Sequence, residues 1–253
     1  MNTMRLERDG DASVLRLDKA RGNAIDEAFL DELGTACREL AADESVRGVL
    51  LASAHPKLFC PGLDLVTLID YQRPAMQRFM LKFAEAVWSL YGLPKPVVAA
   101  VNGHAVAGGC ILALTADYRI LRRGAQIGLN EVKIGVPLPW SVSVLLQATA
   151  APTARTRIAL LGRNFADEEA LAAGLADELA EADGFEVACR TRLAEFTEKD
   201  ARALATTKGY QRAAALHEMR ARERETIGDF LDGWFAAPTQ ARIRRTVESL
   251  TGK

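Results

Sequence analysis

Cysteine is scarce and scattered in this chain of 253 residues: Cys37, Cys60, Cys110 and Cys189 form no C-x-x-C pair. That spacing supports neither a disulfide framework nor a thiolate metal site, and buried free thiols are the expectation. The three histidines, His55, His104 and His217, are equally isolated, so no His-centred triad or metal cluster is advertised. Charge of one sign is not in excess. A formal net charge of −1 leaves no electrostatic footprint for nucleic acid or an anionic membrane. No apolar run approaches the roughly 20 residues of a membrane-spanning helix. The opening MNTMRLERDGDA also lacks the apolar centre of a secretory leader, which makes the cytoplasm the expected location. The G-x-S-x-G, G-x-G-x-x-G and P-loop patterns are absent too, which weakens serine hydrolase, dinucleotide-binding and NTPase readings.

What is present is ordinary for a globular protein, 49% apolar and 26% charged residues. Residues 4 to 18 read as a hairpin about Asp9-Gly10-Asp11. Asp26 is placed to cap a helix over 26–42, on which Phe29, Leu30, Leu33, Cys37 and Leu40 share a face. Strands are expected at 46–53 (VRGVLLAS) and 96–101 (PVVAAV), with a helix between them carrying Met76, Phe79, Met80, Phe83, Val87 and Leu90. Alternating signals continue through Tyr118–Leu121, Ala125–Leu129 and Leu175–Leu179, an α/β pattern. From about Glu186 strand signals vanish and a helical stretch rich in Arg and Glu follows. The chain therefore divides into a core over 1–185 and a helical region over 186–253.

Two loops invite a chemical reading. AVAGGCILALT, residues 105–115, places Gly108 and Gly109 at the head of an apolar helix, although each glycine costs a helix interior about 1 kcal/mol relative to alanine. Such glycines either permit tight strand-to-helix packing or leave an unsatisfied backbone N–H open to a ligand. FCPGLDL, residues 59–65, repeats the arrangement after another buried strand. Together the loops can present the N–H groups of Leu63 and Gly108 to one oxygen, an oxyanion hole made without polar side chains.

These loops and their neighbours resemble the enoyl-CoA hydratase/isomerase (crotonase) superfamily over nearly the whole chain. The matching segments are LDKARGNAID (17–26), FCPGLDL (59–65), KPVVAAVNGHAVAGGC (95–110), ADYRI (116–120), GLNEVKIGV (128–136) and GLADEL (174–179). Each is weak alone; their order and spacing carry the likeness. The resemblance implies a spiral of strand–strand–helix turns with a C-terminal helical region, assembled as trimers or dimers of trimers. It also implies an acyl-CoA thioester as substrate, with coenzyme A as part of that substrate and no separate cofactor or metal. Leu63 and Gly108 would bind the thioester oxygen. Lys19, Ala20 and Ala24 would lie near the adenine end, with Lys19 either meeting a phosphate or standing solvated. Pro61, Gly62, Asp64, Leu65, Gly109 and Ile111 would line the substrate site. The segment FLDGWFA, residues 230–236, would close a neighbour's pocket or pack an interface.

The resemblance also suggests a reaction. Hydratases of this family use two glutamates, and the corresponding positions here are Ile111 and Glu131. Isoleucine moves no proton, so the water-activating pair is broken. One carboxylate suffices to shift a 3-enoyl thioester to the 2-enoyl form, taking a proton from C2 and returning it at C4. Glu131 is the expected base, although a surface glutamate paired with Lys133 is the competing reading. Asn130 could orient it, and Asp64 is expected to be structural or substrate-lining. The helix bearing Met76, Phe79, Met80 and Phe83 borders the acyl pocket or is simply core. A 2-enoyl-CoA hydratase and a non-catalytic acyl-CoA-binding protein of the same fold are the alternatives.

Overall fold

The computed structural model describes residues 1–252. The described residues form ten strands: β1 (Met4–Asp9), β2 (Ala12–Leu17), β3 (Gly48–Ser53), β4 (Leu58–Cys60), β5 (Val97–Val101), β6 (His104–Val106), β7 (Tyr118–Arg122), β8 (Gln126–Gly128), β9 (Asn164–Ala166) and β10 (Glu178–Ala180). β1 and β2 form the expected hairpin, with Gly10 at φ 61° in its turn, a conformation free of Cβ penalty for glycine. The larger sheet has the order β1-β2-β3-β5-β7-β10, parallel from β2 onward. Parallel strands are covered on both faces, and every residue of β3 (GVLLAS) and β5 (VVAAV) is accordingly buried. The smaller sheet has the order β4-β6-β8-β9, with β9 antiparallel at its edge.

The two sheets are wound together as a spiral. Each turn lays one strand in the large sheet, one three-residue strand in the small sheet, and then helix: β3 and β4 before Arg73–Tyr91, β5 and β6 before Gly108–Leu114, β7 and β8 before Trp140–Thr149. This is the strand–strand–helix spiral that the resemblance implies. The expected strand at 175–179 forms only at its end. Leu175 is buried but follows Gly174 at φ 71° and lies in a turn, leaving Glu178–Ala180 to pair with β7.

Asp26 caps the Glu27–Ala42 helix as its spacing suggests, accepting a 3.0 Å hydrogen bond from the Phe29 N–H. Phe29, Leu30, Leu33, Ala36, Cys37 and Leu40 form its buried face. The main core lies between the sheets and these helices. A second core covers the outer face of the large sheet, where Phe185, Cys189 and Leu193 of the Phe185–Thr197 helix meet Val14, Leu50, Val98 and Ile120. The first helix of the 186–253 stretch therefore roofs the spiral. All four cysteines are free and buried, and burial pushes the thiols of Cys37, Cys60 and Cys189 up to about 12.

The 35-residue helix Ala201–Phe235 runs back along Arg73–Tyr91 and Trp140–Thr149. A buried ion cluster pins it to the strand ends. Asp117 accepts from the Val97 N–H at 2.7 Å and from Lys208 Nζ at 2.6 Å, and lies 2.6 Å from the Arg212 guanidinium. Arg212 also donates to the carbonyls of Thr115 and Tyr91 and stacks over the Tyr91 ring. Burial lowers the Lys208 ammonium to about 8, while Asp117 works against that shift. A final helix, Ala237–Thr251, closes the description. Among the described residues no helix is long and apolar enough to cross a membrane.

Candidate active site

The first loop leaves β4 through Pro61 and Gly62. Ile25 forms a parallel bridge to Leu63: its N–H donates to the Gly62 carbonyl and its carbonyl accepts from the Asp64 N–H, each at 2.8 Å. In that register the Leu63 N–H faces away from Ile25 and meets no acceptor among the described residues. The second loop leaves β6 through Ala107, whose N–H is held by the Gly128 carbonyl at 2.9 Å. Ala107 sits at φ 49° and ψ −122°, a region L-residues avoid. Backbone strain of this kind costs about 1–3 kcal/mol. Gly108 begins the Gly108–Leu114 helix, so its N–H also has no acceptor.

The glycines bring these donors together. A Cβ on Gly62, at φ 98°, would stand 2.9 Å from Ala107 Cβ and 3.0 Å from Gly108 N, pressing on the donor itself. A Cβ on Gly108 would meet Gly62 Cα at 3.0 Å. Gly109 has a different task, since its Cβ would overlap the Cys60 carbonyl oxygen. The double glycine thus serves both readings left open by the sequence: Gly108 offers a donor, and Gly109 packs the helix onto the first loop.

Both donors open on a cavity of about 770 Å³. Leu63, Gly108, Ile111 and Glu131 line it together with Ala24, Pro61, Asp64 and Leu65. Of the expected site residues, Lys19, Ala20, Gly62 and Gly109 lie off its wall. Lys19 does not stand in solvent: its ammonium lies 2.9 Å from Asp26 and 3.5 Å from Asp64 and donates to the Ala24 carbonyl. Asp64 is buried, caps the Leu65–Leu68 helix through the Thr67 N–H, and lies 3.6 Å from Arg21. Its carboxylate is committed to holding the loop. Met80 and Phe83 face the cavity, whereas Met76 and Phe79 are fully buried core, so the helix between strands is both pocket wall and core.

Glu131 opens the short Glu131–Ile134 helix that follows β8. The residue keeps some exposed surface, but its Oε2 is shut off from solvent and has no hydrogen-bond partner. Lys133 is exposed and makes no ion pair with it. Burial raises its carboxyl to about 7, against the weaker pull of the Glu131 and Asn130 backbone N–H groups. Facing the same cavity, Ile111 is 3% exposed and supplies only hydrocarbon. The site therefore holds a carboxyl raised toward neutrality, with its Oε2 unpartnered, and two backbone N–H groups without acceptors.

Several wall residues were not foreseen. Arg21 is one, and Asn130, expected only as a group that could orient Glu131, lines the cavity as well. Phe230, Trp234, Thr246 and Leu250 come from the last two helices, so the FLDGWFA segment lines the cavity of its own chain. Beside them a hollow of about 400 Å³ shares Ile134, Thr246 and Leu250 with the cavity and carries Lys133, Arg242 and Arg245. A helix that looks uniformly charged in sequence gives little sign of such a wall. Its one legible signal is the aromatic run Phe230, Trp234, Phe235.

The enoyl-CoA hydratase/isomerase family model matches residues 9–232. The rat mitochondrial enoyl-CoA delta isomerase 1 is 33% identical over 224 residues, covering 86% of this chain and 77% of the relative. Carnitinyl-CoA dehydratase of Shigella flexneri is 33% identical over 178 residues, 70% of this chain and 67% of that protein. The human mitochondrial delta3-delta2-enoyl-CoA isomerase structure superposes with a TM-score of 0.94 at 27% identity, covering 99% of both chains. Fold, paired loops and relatives converge: the chain belongs to the enoyl-CoA hydratase/isomerase family, the crotonase superfamily.

Proposed function

We propose that this protein isomerises 3-enoyl-CoA thioesters to 2-trans-enoyl-CoA in fatty-acid metabolism. The observation that carries the reading is Glu131, whose buried Oε2 has no partner, lining the same cavity as the apolar Ile111. The thioester oxygen sits at the Leu63 and Gly108 N–H groups. Glu131 removes a C2 proton, and negative charge moves onto that oxygen as the dienolate forms, where the two donors stabilise it. Glu131 then returns the proton at C4, and the double bond comes to rest between C2 and C3. A carboxyl titrating near 7 suits both halves of this transfer. The hydrocarbon wall at Ile111 offers no group to hold or activate a water. The names of the mammalian relatives and of the human structure agree with this assignment.

The same proposal covers the rest of the substrate. With Lys19 committed to Asp26 and Asp64, the cations free to meet the phosphates of coenzyme A are Lys133, Arg242 and Arg245 beside the cavity. Proton transfer by this route uses no cofactor beyond the coenzyme A of the substrate. We also propose a homotrimer or dimer of trimers, to be checked by light scattering of purified protein, with the helical region over 186–253 as its trimerisation element. A cytoplasmic location belongs to the proposal too. Cell fractionation separates it from the mitochondrial location in the relatives' names.

Purified protein assayed with 3-hexenoyl-CoA and crotonyl-CoA at equal enzyme concentration tests the activity. Isomerisation should exceed hydration by a wide margin. Comparable rates would make the protein a hydratase, and binding without turnover of either would make it an acyl-CoA-binding protein.

A further inference from the structure

Two residues of the main cavity, Pro139 and Phe230, also line a second hollow of about 210 Å³. This hollow lies between the start of the Trp140–Thr149 helix and the Ala201–Phe235 helix, among Leu138, Trp140, Ser143, Thr226 and Ile227. Arg222 and Asp229, which line it too, are exposed, so the hollow reaches the surface. Pro139 is buried and fixed at the head of its helix, where its carbonyl accepts from the Ser143 N–H at 3.0 Å. Phe230 is 3% exposed and stacks on Trp234 at 6.0 Å and 21°. A core side chain is stabilised by contact on every side, and a void forfeits that contact. The deeply buried rings of Phe29, Phe59, Phe79 and Phe165 line neither space. Phe230 borders both, and so stands as a partition.

We propose that Phe230 is a specificity-determining residue: its ring, beside Pro139, is the end wall of the acyl chamber and confines the protein to acyl chains that stop short of the hollow. The inference rests on reading the cavity as an acyl-CoA site. With the thioester oxygen at Leu63 and Gly108 and the phosphates near Thr246 and Leu250, the apolar stretch left for the tail is Met80, Phe83, Pro139 and Phe230. Each methylene buried there tightens binding by about fourfold until the terminal methyl meets the ring. A longer chain must displace the stacked ring or fold back, and gains nothing further. A smaller side chain at 230 would join the chamber to the hollow and let the tail run on.

The test is calorimetric binding of saturated straight-chain acyl-CoA thioesters of four to twelve carbons, which cannot isomerise, to the full chain. Wild-type affinity should climb about fourfold per methylene and then level off or fall at one length. In Phe230→Ala that break should move out by at least two carbons, raising long-chain over short-chain affinity by about tenfold or more. Adding Ser143→Phe, which puts a ring into the hollow, should return the break to its wild-type length. Ser143→Phe alone should leave the break in place, because the hollow takes no part in wild-type binding. An unbroken rise to twelve carbons in the wild type overturns the proposal. So does a break that stays put in folded Phe230→Ala, one that remains extended in the double variant, or one that Ser143→Phe alone shortens. The wild-type and Ser143→Phe series keep the test decisive even where Phe230→Ala folds poorly. Failure of every thioester to bind would overturn the acyl-CoA reading and the end wall with it, whereas binding without a break overturns the end wall alone.

Discussion

Glu131 and Asp117 are both carboxylates removed from water, and the protein treats them in opposite ways. Asp117 has a backbone N–H, an ammonium and a guanidinium around it, and its cluster fastens the 35-residue helix to the sheet. Glu131 has hydrocarbon before it and an Oε2 with nothing to bond. A buried ion whose hydrogen bonds are filled is architecture, because removing one partner strands the others. A buried carboxyl left unfilled sits with its pKa near neutrality, which destabilises the fold and suits proton transfer. The contrast makes Glu131 the candidate for chemistry without reference to any relative.

The comparison can be broken from either side, and the largest effect belongs to Glu131. Glu131→Gln keeps the shape but cannot take a proton, so kcat for 3-hexenoyl-CoA should fall by up to about 10⁴-fold, a barrier increase of about 5 kcal/mol. Binding of a saturated acyl-CoA should change little. In the wild type, kcat/KM should rise with pH through an apparent pKa near 7 as the carboxyl ionises. A variant with more than a few per cent of wild-type kcat would remove Glu131 from the role of base. Next comes Asp117→Ala, which leaves Lys208 and Arg212 without their buried counter-charge. Urea unfolding at pH 7 should show a loss of about 3–5 kcal/mol. A loss under about 1 kcal/mol would reduce the cluster to the standing of a surface ion pair.

The third effect sharpens the contrast, because Glu131→Gln should also stabilise the protein. The unfolded glutamate ionises near 4.5 and the folded one near 7. The folded state therefore holds its proton across that window, and wild-type stability is lost as pH rises from about 4.5 to about 7. The variant has no such slope, so it should match the wild type in acid. Above pH 7 it should exceed it by up to about 3 kcal/mol, read from chemical denaturation at several pH values. A constant difference at all pH values would contradict the raised pKa. The smallest effect is expected from Ile111→Glu, which adds a second carboxyl facing Glu131. Hydration of crotonyl-CoA should rise a few-fold above background while isomerisation falls, in protein shown folded by its melting curve. A folded variant with isomerisation unchanged and no added hydration would mean that position 111 does not face the reacting carbons.

Much of this was legible in the sequence, for identifiable reasons. Helix Glu27–Ala42 and strands β3 and β5 are long enough for periodicity and apolar runs to declare them. β4, β6 and β9 have three residues each, too few for an alternation of period two to show, yet two of them carry the loops of the candidate site. Gly108, Leu63 and Glu131 became candidates through glycine placement and family resemblance, and the structure places all three on one cavity. The ion pairs of Lys19 were not legible because what holds it, Asp26 and Asp64, converges only in three dimensions. Phe230 could be seen as aromatic, but standing between two cavities is a property of its surroundings and is written nowhere in the chain.

The strained turn at Ala107 and the bridge at Ile25 have a genetic consequence. On the proposed mechanism the two groups that meet the developing charge are main-chain atoms, so no substitution short of proline would delete either one. A mutation can only change the shape around them, as a side chain at position 62 or 108 would. The side chains at 111 and 131 carry no such protection, and single codon changes can exchange them freely. Anion stabilisation is thereby inherited with the fold, while the proton chemistry at its edge is open to revision. A lineage built this way can change its reaction without first losing its grip on the thioester.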